Sequence, residues 1–396
     1  NIKIAPQFSG KQMGFRSTQN IGEGNISYYY LNTDSPENLT VWNVSDPLNV
    51  ERIEMNVETD HVWFKIENDQ LLEFQAFDGS EFYQAELSGW VENQNLYATN
   101  AVDFLIITHP EFLSQANQLA EFHEIEDDMT TGVYTIDQIY NEFSSGSQDI
   151  SALRNFIWHM NDLSGENIQP KYVLLFGDAS YDYKDITENN TNFVPTFITL
   201  ASANMVSSFA SDRFFSVKNM SEPDESQIAI GRIPTASAEE ADEVLQKIHN
   251  YSSSQALGSW KNEMIFIADD GDMGLHQRDA DNLTIIADTN NPVMNITKCY
   301  LDFSELIETD EGPRYPEVNQ VIEDKINEGV YYVNYTGHGG VEQLADERIL
   351  TKNDIENWTN SNKLGIWVIA SSDVANNIDP EYVSLGEAIY LKENAG

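Results

Sequence analysis

The sequence is poor in cysteine and in basic residues, and it has no long apolar run. Its 396 residues include a single cysteine, Cys299, so no intrachain disulfide and no cysteine-based metal site can form. Only 21 lysines and arginines stand against 65 acidic residues, which gives a formal charge of -44. Nucleic acids and anionic membrane surfaces are bound through basic faces, so neither is a predicted partner. No stretch approaches the roughly 18 apolar residues of a membrane-spanning helix.

Apolar residues are nonetheless frequent enough for folded domains. Hydrophobic residues make up 41% of the chain and aromatic residues 11%, which is typical of packed cores rather than disorder. The acidic residues are spread along the whole chain, as expected of a solvated surface, and a saline habitat or a preference for cations also fits. The chain begins at Asn1 and stops at Gly396 within a helical pattern, so we expect a processed product that is truncated at its carboxyl end.

The beginning of the chain has the pattern of a β-rich domain. Val62, Phe64 and Ile66 alternate with polar residues, which is the period of half-buried strands. Similar alternation occurs on both sides of this run. We therefore predict a β-rich amino-terminal domain over residues 1–97.

From about residue 101, short apolar runs alternate with helical patterns. Such runs are typical of strands buried on both faces of a parallel sheet. We predict an α/β fold with one subdomain over residues 98–258 and a second over 259–396, joined near Ser252–Gly258. The predicted strands are 104–107, 172–176, 228–230, 264–267, 330–333 and 366–369, and the clearest predicted helices are 241–251, capped by Ser237 and Glu240, and 316–327.

His338 is the most informative candidate for chemistry. Ligands of open α/β sheets bind beyond the carboxyl ends of strands, and His338 follows a predicted strand between two glycines. Flanking glycines permit a sharp turn and leave amide N–H groups open. A histidine there can act as a general base, with the Gly339 N–H directed at an oxyanion. A loop histidine tied to a carbonyl group fits the same three residues.

Several segments together resemble the gingipain family of cysteine peptidases. Asn334–Gly339, Asn360–Leu364 and the strand that ends at Ala370 resemble the catalytic half of that family. Further segments resemble its type IX secretion sortases, and the matches span nearly the whole chain. These segments are Trp42–Leu48, Ile139–Gly146, Leu174–Asp178, Ser180–Lys184, Ile230–Pro234 and Ala268–Asp272.

The resemblance implies a caspase-like, two-subdomain α/β sandwich with its catalytic dyad in the second subdomain. It implies removal of C-terminal sorting domains from secreted cargo proteins, followed by transfer of the cargo to an amino-bearing lipopolysaccharide or to water. It also implies a location on the extracellular face of the outer membrane, docked on an outer-membrane β-barrel protein. It implies no required cofactor.

Two positions depart from the family pattern. The nucleophilic cysteine should follow Ala370-Ser371, and this chain has Ser372, whose hydroxyl is a far weaker nucleophile at neutral pH. The Ser372 N–H joins Gly339 as a candidate oxyanion donor. An acidic residue usually precedes the Ile-Gly-Arg strand to orient the histidine, and Gln227 stands there, which cannot balance an imidazolium charge. Both departures together favour a naturally weakened or inactive paralogue, whereas an engineered serine would explain only the first.

Acidic loop residues are candidates for calcium. Asp269, Asp270 and Asp272 surround Gly271 and offer oxygen ligands in a tight loop, and a second cluster lies within Asp178–Asp185. A strand-end turn in an acidic protein fits both clusters as well.

Three functional hypotheses follow for the chain. The first is a sortase-type cysteine peptidase with its nucleophile changed, and the second is a pseudo-sortase that binds cargo or the outer-membrane barrel without cleaving. The third is a soluble secreted gingipain-like protease. His123 and His276 lie near carboxylates but show no spacing typical of zinc, and Cys299 is expected to end a sheet strand rather than replace the nucleophile.

Overall fold

The chain divides into two compact units, Asn1–Glu92 and Asn93–Gly396. The predicted boundary lay slightly later, at residue 97. The segment after Glu92 belongs with the larger unit because Leu96 is buried in that unit's core and its N–H donates to Glu142 at 2.8 Å. The computed structural model describes residues 2–8, 11–82, 84, 89–165, 170–199, 208–219, 226–310 and 312–396.

The amino-terminal unit is β-rich, as predicted. Its core is aromatic: the Tyr29 and Phe64 rings stack at 5.1 Å, and Phe74 packs against both. Val62 and Phe64 are buried, which confirms the alternating pattern. The strands are β1 Ile2–Ile4, β2 Gln12–Arg16, β3 Ile26–Asn32, β4 Thr40–Asn43, β5 Glu51–Arg52, β6 Asn56–Val57, β7 His61–Glu67 and β8 Glu73–Phe77, in sheets of order β1-β3-β7-β6 and β2-β8-β4-β5.

The larger unit alternates strands and helices along the chain. Its strands are β9 Phe104–Thr108, β10 Thr131–Thr135, β11 Tyr172–Phe176, β12 Ala229–Ile233, β13 Glu263–Ala268, β14 Asn295–Tyr300, β15 Ile307–Thr309, β16 Gly312–Arg314, β17 Tyr332–Thr336, β18 Gln343–Leu344, β19 Leu350–Thr351 and β20 Ile366–Ala370. Its helices are α1 Leu113–Glu126, α2 Ile136–Phe143, α3 Ile150–Leu163, α4 Arg213–Ser216, α5 Ala238–Ser252, α6 Gly271–Asn290, α7 Pro316–Glu328, α8 Lys352–Ile355 and α9 Leu385–Leu391.

Two four-stranded parallel sheets form the framework of this unit. The first has the order β10-β9-β11-β12 and the second the order β14-β13-β17-β20. The α/β fold class is thereby confirmed. In the second sheet β13 and β17 are central, and their carboxyl ends lie at one edge together with that of β20. This edge carries the loops with His338, Ser372 and the Asp269–Asp272 segment.

The predicted helix boundaries hold, with one difference at the start of α5. The Ser237 hydroxyl accepts the Glu240 N–H at 3.2 Å, as a cap should. The Glu240 carboxylate instead accepts the N–H of Ala236 at 2.7 Å, so the reciprocal bond is displaced by one residue. Helix α7 covers the second sheet with Val318, Ile322 and Ile326, all fully buried. Among the described helices, none is both long and apolar enough to span a bilayer.

Candidate active site at the edge of the second sheet

Strand register places His338 and Ser372 at equivalent heights on neighbouring strands. Thr336 at the end of β17 pairs with Ala370 at the end of β20. His338 and Ser372 each follow two residues later, and neighbouring strands lie about 4.8 Å apart. His338 and Ser372 therefore lie at the same edge of the sheet, in the loops that follow two neighbouring strands.

The backbone of His338 is fixed while its imidazole remains half exposed. Its N–H donates to Asp269 Oδ2 at 2.9 Å, and its carbonyl accepts from the Ala345 N–H at 2.9 Å and from the Tyr335 hydroxyl. The side chain keeps 55% of its surface in contact with solvent. Gly337 precedes it because a Cβ there would overlap Asp269 and Tyr335. The backbone of His338 is therefore held in place by hydrogen bonds, while its ring stays accessible to a ligand.

The carboxylate beside the imidazole belongs to Asp272. Its Oδ2 lies 3.2 Å from His338 Nε2, at ion-pair distance. This leaves His338 Nδ1 without a partner among the described residues, and therefore available to exchange a proton with a substrate or nucleophile. Asp272 can balance the imidazolium charge that forms during general base catalysis.

An unusual turn carries Asp272 to this position. Asp272, Met273 and Gly274 have φ values of 53, 57 and 72°, so three consecutive residues are left-handed. The first two carry side chains that disfavour this region, and strain of this kind costs about 1–3 kcal/mol per residue and concentrates at functional sites. The sequence indicated Asp272 only as a calcium ligand, and its position beside His338 was not predicted.

The two serines after β20 have different environments. The Ser371 hydroxyl is buried without a hydrogen-bond partner in the described structure, and a Cβ on Gly339 would lie 2.5 Å from it. Ser372 is exposed. The Gly339 N–H has no acceptor among the described residues, as an oxyanion donor requires before substrate binds. Ser372 is therefore the serine that a substrate can reach, and the oxyanion role of Gly339 and Ser372 stays a prediction.

No described contact joins Gln227 to this cluster. Gln227 precedes β12 at the amino end of a strand in the first sheet, where its backbone N–H donates to Ser216 O at 3.3 Å. His338 lies beyond the carboxyl end of a strand in the second sheet. Among described contacts, the acidic partner of His338 is Asp272. The absence of a carboxylate at position 227 therefore removes no contact that the described structure gives to His338.

The proposed calcium ligands divide into two groups. Asp269 and Asp270 lie with Glu347, and one oxygen of each falls within 4.8 Å of the others, whereas Asp272 faces His338 and His276. Asp269 is almost fully buried, and burial raises the pKa of its carboxyl group although the His338 and Asp270 N–H groups oppose this. Calcium at Asp269 and Asp270 stays a prediction, with Glu347 rather than Asp272 as the third carboxylate in reach.

The second acidic cluster has a structural explanation. Asp182 Oδ2 accepts the N–H groups of Ile186 and Thr187 at 2.6 Å each, which closes a loop. Asp178 is buried, and one of its oxygens has no partner in the described structure. Burial raises the pKa of Asp178 to about 7.

Asp178→Asn is expected to stabilise the protein at pH 8 and to leave it unchanged or weaker at pH 4. A carboxyl group whose pKa is raised by folding stabilises fully below its unfolded pKa, near 3.9, and this contribution is lost as pH rises through about 7. The asparagine carries no charge, so it removes a penalty of up to about 4 kcal/mol at pH 8. Urea unfolding at both pH values measures this, and an equal effect at the two values would contradict it.

Cys299 is confirmed as a buried residue near the end of β14. Burial raises the pKa of its thiol to about 12, so it carries almost no thiolate at neutral pH. It therefore offers neither a nucleophile nor a reactive site for thiol reagents.

Comparison with known proteins identifies the family. Residues 97–396 match the sequence profile of Peptidase family C25. The crystal structure of dimeric latent PorU from Porphyromonas gingivalis is similar over 64% of this chain and 26% of that chain, with 25% identity and a TM-score of 0.52. The crystal structure of the arginine-specific cysteine proteinase gingipain R is similar over 75% of this chain and 60% of that chain, with 19% identity and a TM-score of 0.54.

A third similar structure is the complex of the RgpB pro- and mature domains from Porphyromonas gingivalis. The similarity covers 74% of this chain and 61% of that chain, with 20% identity and a TM-score of 0.53. A search of curated proteins finds no match. The chain spans less than two thirds of each of these solved structures, about a quarter in the case of PorU. The caspase-like, gingipain-like fold predicted from the sequence is confirmed, and the chain belongs to peptidase family C25.

Proposed function

We propose that this chain is the peptidase region of a type IX secretion sortase whose nucleophile position is occupied by Ser372. The observation that carries the proposal is the register of β17 with β20, which sets His338 and Ser372 two residues beyond a paired Thr336 and Ala370. In this arrangement the substrate carbonyl would lie over the sheet edge, near the unpaired N–H of Gly339. Cargo proteins with C-terminal sorting domains are the proposed substrates, and the cell surface is the proposed location.

The proposed reaction is acyl transfer by the Ser372→Cys chain. The thiolate that this substitution introduces attacks the scissile carbonyl, and the N–H groups of Gly339 and of position 372 stabilise the oxyanion. The carbon–nitrogen bond then breaks, and the leaving amine takes a proton from His338. An amino group of the acceptor, or water, gives a proton to His338 and attacks the thioester, which releases the cargo and restores the thiol.

The serine makes the chain weak as a catalyst in this scheme. A hydroxyl must lose its proton during the attack, which requires a well-oriented base, whereas a thiol already exists partly as thiolate. His338 is half exposed, and its carboxylate partner Asp272 is also exposed, at 55% of its side-chain surface. Water screens this ion pair, so it orients the ring less firmly than a buried partner would.

Transfer and hydrolysis are distinguished by supplying an acceptor. A cargo protein that carries its sorting domain is incubated with the Ser372→Cys chain and a small primary amine, and the products are identified by mass spectrometry. A sortase gives a cargo–amine adduct together with the hydrolysed product. Hydrolysed product alone, at saturating amine, would favour a secreted protease over a sortase.

Binding without cleavage is the second candidate function, and the serine at position 372 favours it. A site that holds the sorting domain but lacks a thiol would retain cargo instead of releasing it. The unmodified chain should then bind the isolated sorting domain in a surface-based binding assay, and the domain should be recovered intact. Absence of binding together with absence of cleavage in the cysteine variant would exclude both functions.

Asp272→Asn is expected to lower kcat of the Ser372→Cys chain by about one to two orders of magnitude with little change in KM. Asparagine keeps the shape but cannot balance an imidazolium on His338. Gln227→Glu serves as the comparison, and we expect no effect from it because Gln227 lies at the amino end of β12. The opposite ranking would restore Gln227 as the orienting position.

A further inference from the structure

Two histidines from separate segments meet at the edge of the second sheet. His276 lies in α6, and His338 follows β17, sixty-two positions later in the sequence. Their ring centroids are 5.1 Å apart and the rings are nearly perpendicular, at 87°. Because the two rings come from distant segments, no local spacing in the sequence could have indicated this pair.

Asp269 completes a compact set of ligand atoms. One carboxylate oxygen of Asp269 and one ring nitrogen each of His276 and His338 all lie within 4.8 Å of one another. Asp269 is held at the end of β13, where its oxygens accept the N–H groups of His338 and Asp270 at 2.9 Å each. Both hydrogen bonds fix the carboxylate, as outer contacts do for metal ligands.

His276 gives an independent indication of a ligand. Its side chain is only 15% exposed, and its Nε2 atom is buried without a hydrogen-bond partner in the described structure. Such groups are uncommon and costly, since a buried nitrogen without a partner loses its hydration. Asp272 Oδ2 lies 3.3 Å from it but does not form a hydrogen bond with it. A metal ion would satisfy the lone pair of this nitrogen.

Asp272 contacts both rings but lies outside this set of ligand atoms. Its Oδ2 lies 3.2 Å from His338 Nε2 and 3.3 Å from His276 Nε2, but no described group of mutually close ligand atoms includes it. Asp269, His276 and His338 therefore supply three ligands, which leaves one position of a tetrahedral zinc ion for water.

We propose that Asp269, His276 and His338 form a zinc site with three protein ligands. Two imidazoles with carboxylates suit Zn²⁺, whereas Ca²⁺ and Mg²⁺ prefer oxygen donors throughout. The formal charge of -44 further favours cation binding over anion binding.

Zinc bound at this position would prevent His338 from acting as a general base. An imidazole that binds the metal through one nitrogen carries its proton on the other nitrogen, so it cannot accept a further proton, and the bound ring loses its freedom to approach the substrate. This consequence rests on the proposed peptidase function, whereas the binding site itself does not. Zinc binding and acyl transfer should therefore exclude each other, and chelation should restore the transfer reaction.

Zinc binding is tested on the unmodified chain by calorimetric titration without calcium and at an ionic strength of about 0.15 M, which screens weak surface carboxylates. We expect one Zn²⁺ per chain and, in crystals soaked with zinc, an anomalous peak at the zinc edge between His276 and His338. No stoichiometric zinc binding, or a peak elsewhere only, would overturn the proposal. This measurement requires no variant to fold.

Variants then assign the ligands. His276→Gln and Asp269→Asn should each weaken zinc binding at least tenfold, after circular dichroism shows that the variant is folded. His159→Gln is the matched control, because His159 lies on α3 with its Nε2 3.3 Å from the Tyr97 carbonyl oxygen. The zinc affinity of this variant should equal that of the unmodified chain. Equal affinity for His276→Gln and the unmodified chain would disprove the site. Zinc binding together with a Ser372→Cys chain that stays inactive after chelation would leave the site intact and reject only the peptidase.

Discussion

Ser372→Cys is expected to raise the rate of cargo cleavage by at least about three orders of magnitude over the unmodified chain. Losing an activated nucleophile typically removes several orders of magnitude in rate, with only positioning and oxyanion donors left, and the substitution reverses this loss. The thiol is more acidic than the hydroxyl, so His338 need only stabilise a thiolate rather than create an alkoxide. Cleavage of a cargo protein, followed by gel and by mass of the released domain, measures the change.

Ser371→Cys is the matched control for this substitution. The Ser371 hydroxyl is buried against Gly339, so a thiol there has no access to a substrate carbonyl and should give no cleavage. His338→Ala in the Ser372→Cys background should abolish the gain. Brisk cleavage by the unmodified chain, lost on Ser372→Ala, would instead show a serine enzyme on a cysteine-peptidase fold.

The chain is well suited to a direct measurement of the new thiol. Its single cysteine is buried, and its thiol pKa of about 12 suppresses alkylation at neutral pH. Iodoacetamide should therefore label the Ser372→Cys chain once and the unmodified chain hardly at all. If His338 stabilises the thiolate, labelling should start well below the pH of a free cysteine, near 8.5, and this early onset should disappear with His338→Ala.

The sequence was sufficient to predict the framework of the site. Buried parallel strands are continuous apolar runs, and ligands bind beyond their carboxyl ends, so β17, β20 and His338 could be placed from local patterns. Ser372 was singled out by the family resemblance. The Gly-His-Gly segment added the sharp turn that close packing on Asp269 requires. These features depend on residues that are neighbours in the chain.

The partners of His338 could not be predicted in the same way. Asp272 reaches the ring through left-handed residues, two of which are not glycine, and no local pattern indicates that conformation. His276 approaches from α6, in another segment. Gln227 was chosen because a family pattern suggested it, but strand direction in the fold places it at the amino end of β12. Contacts between distant segments depend on topology, which periodicity alone does not give.

At the Ile-Gly-Arg motif, too, the sequence predicted the secondary structure but not the role of a side chain. The sequence indicated a strand at this motif, but it did not show that Arg232 is a buried structural charge. Its side chain is 6% exposed and forms a two-pronged ion pair with Asp212 at 2.8 Å for each contact. It also donates to the carbonyls of Gly177 and Val194, at 2.7 and 2.6 Å. Through these hydrogen bonds, Arg232 connects β12 to the loops that follow β11.

Arg232→Met is expected to reduce the free energy of unfolding of the α/β unit by about 3–5 kcal/mol at pH 7. The methionine fills part of the space but leaves Asp212, whose side chain is only 23% exposed, without its partner, and breaking a largely buried pair from one side costs this much. Urea unfolding followed by near-ultraviolet circular dichroism measures the loss. Arg278→Met is the matched control, because Arg278 is 66% exposed and 3.9 Å from Asp279, so its loss should cost less than about 0.5 kcal/mol.

The pH dependence of the Arg232→Met loss separates charge from packing. Burial tends to raise the pKa of Asp212, but the charge and hydrogen bonds of Arg232 outweigh it and hold that pKa below its usual value. A lowered pKa stabilises the folded state above the unfolded pKa, near 3.9, and this contribution is lost as pH falls through the folded value. Without Arg232 the buried carboxyl is favoured in its neutral form, so the variant should lose stability as pH rises. The difference between the two proteins should therefore be smaller at pH 4 than at pH 7, and a difference independent of pH would mean that Arg232 acts through packing alone.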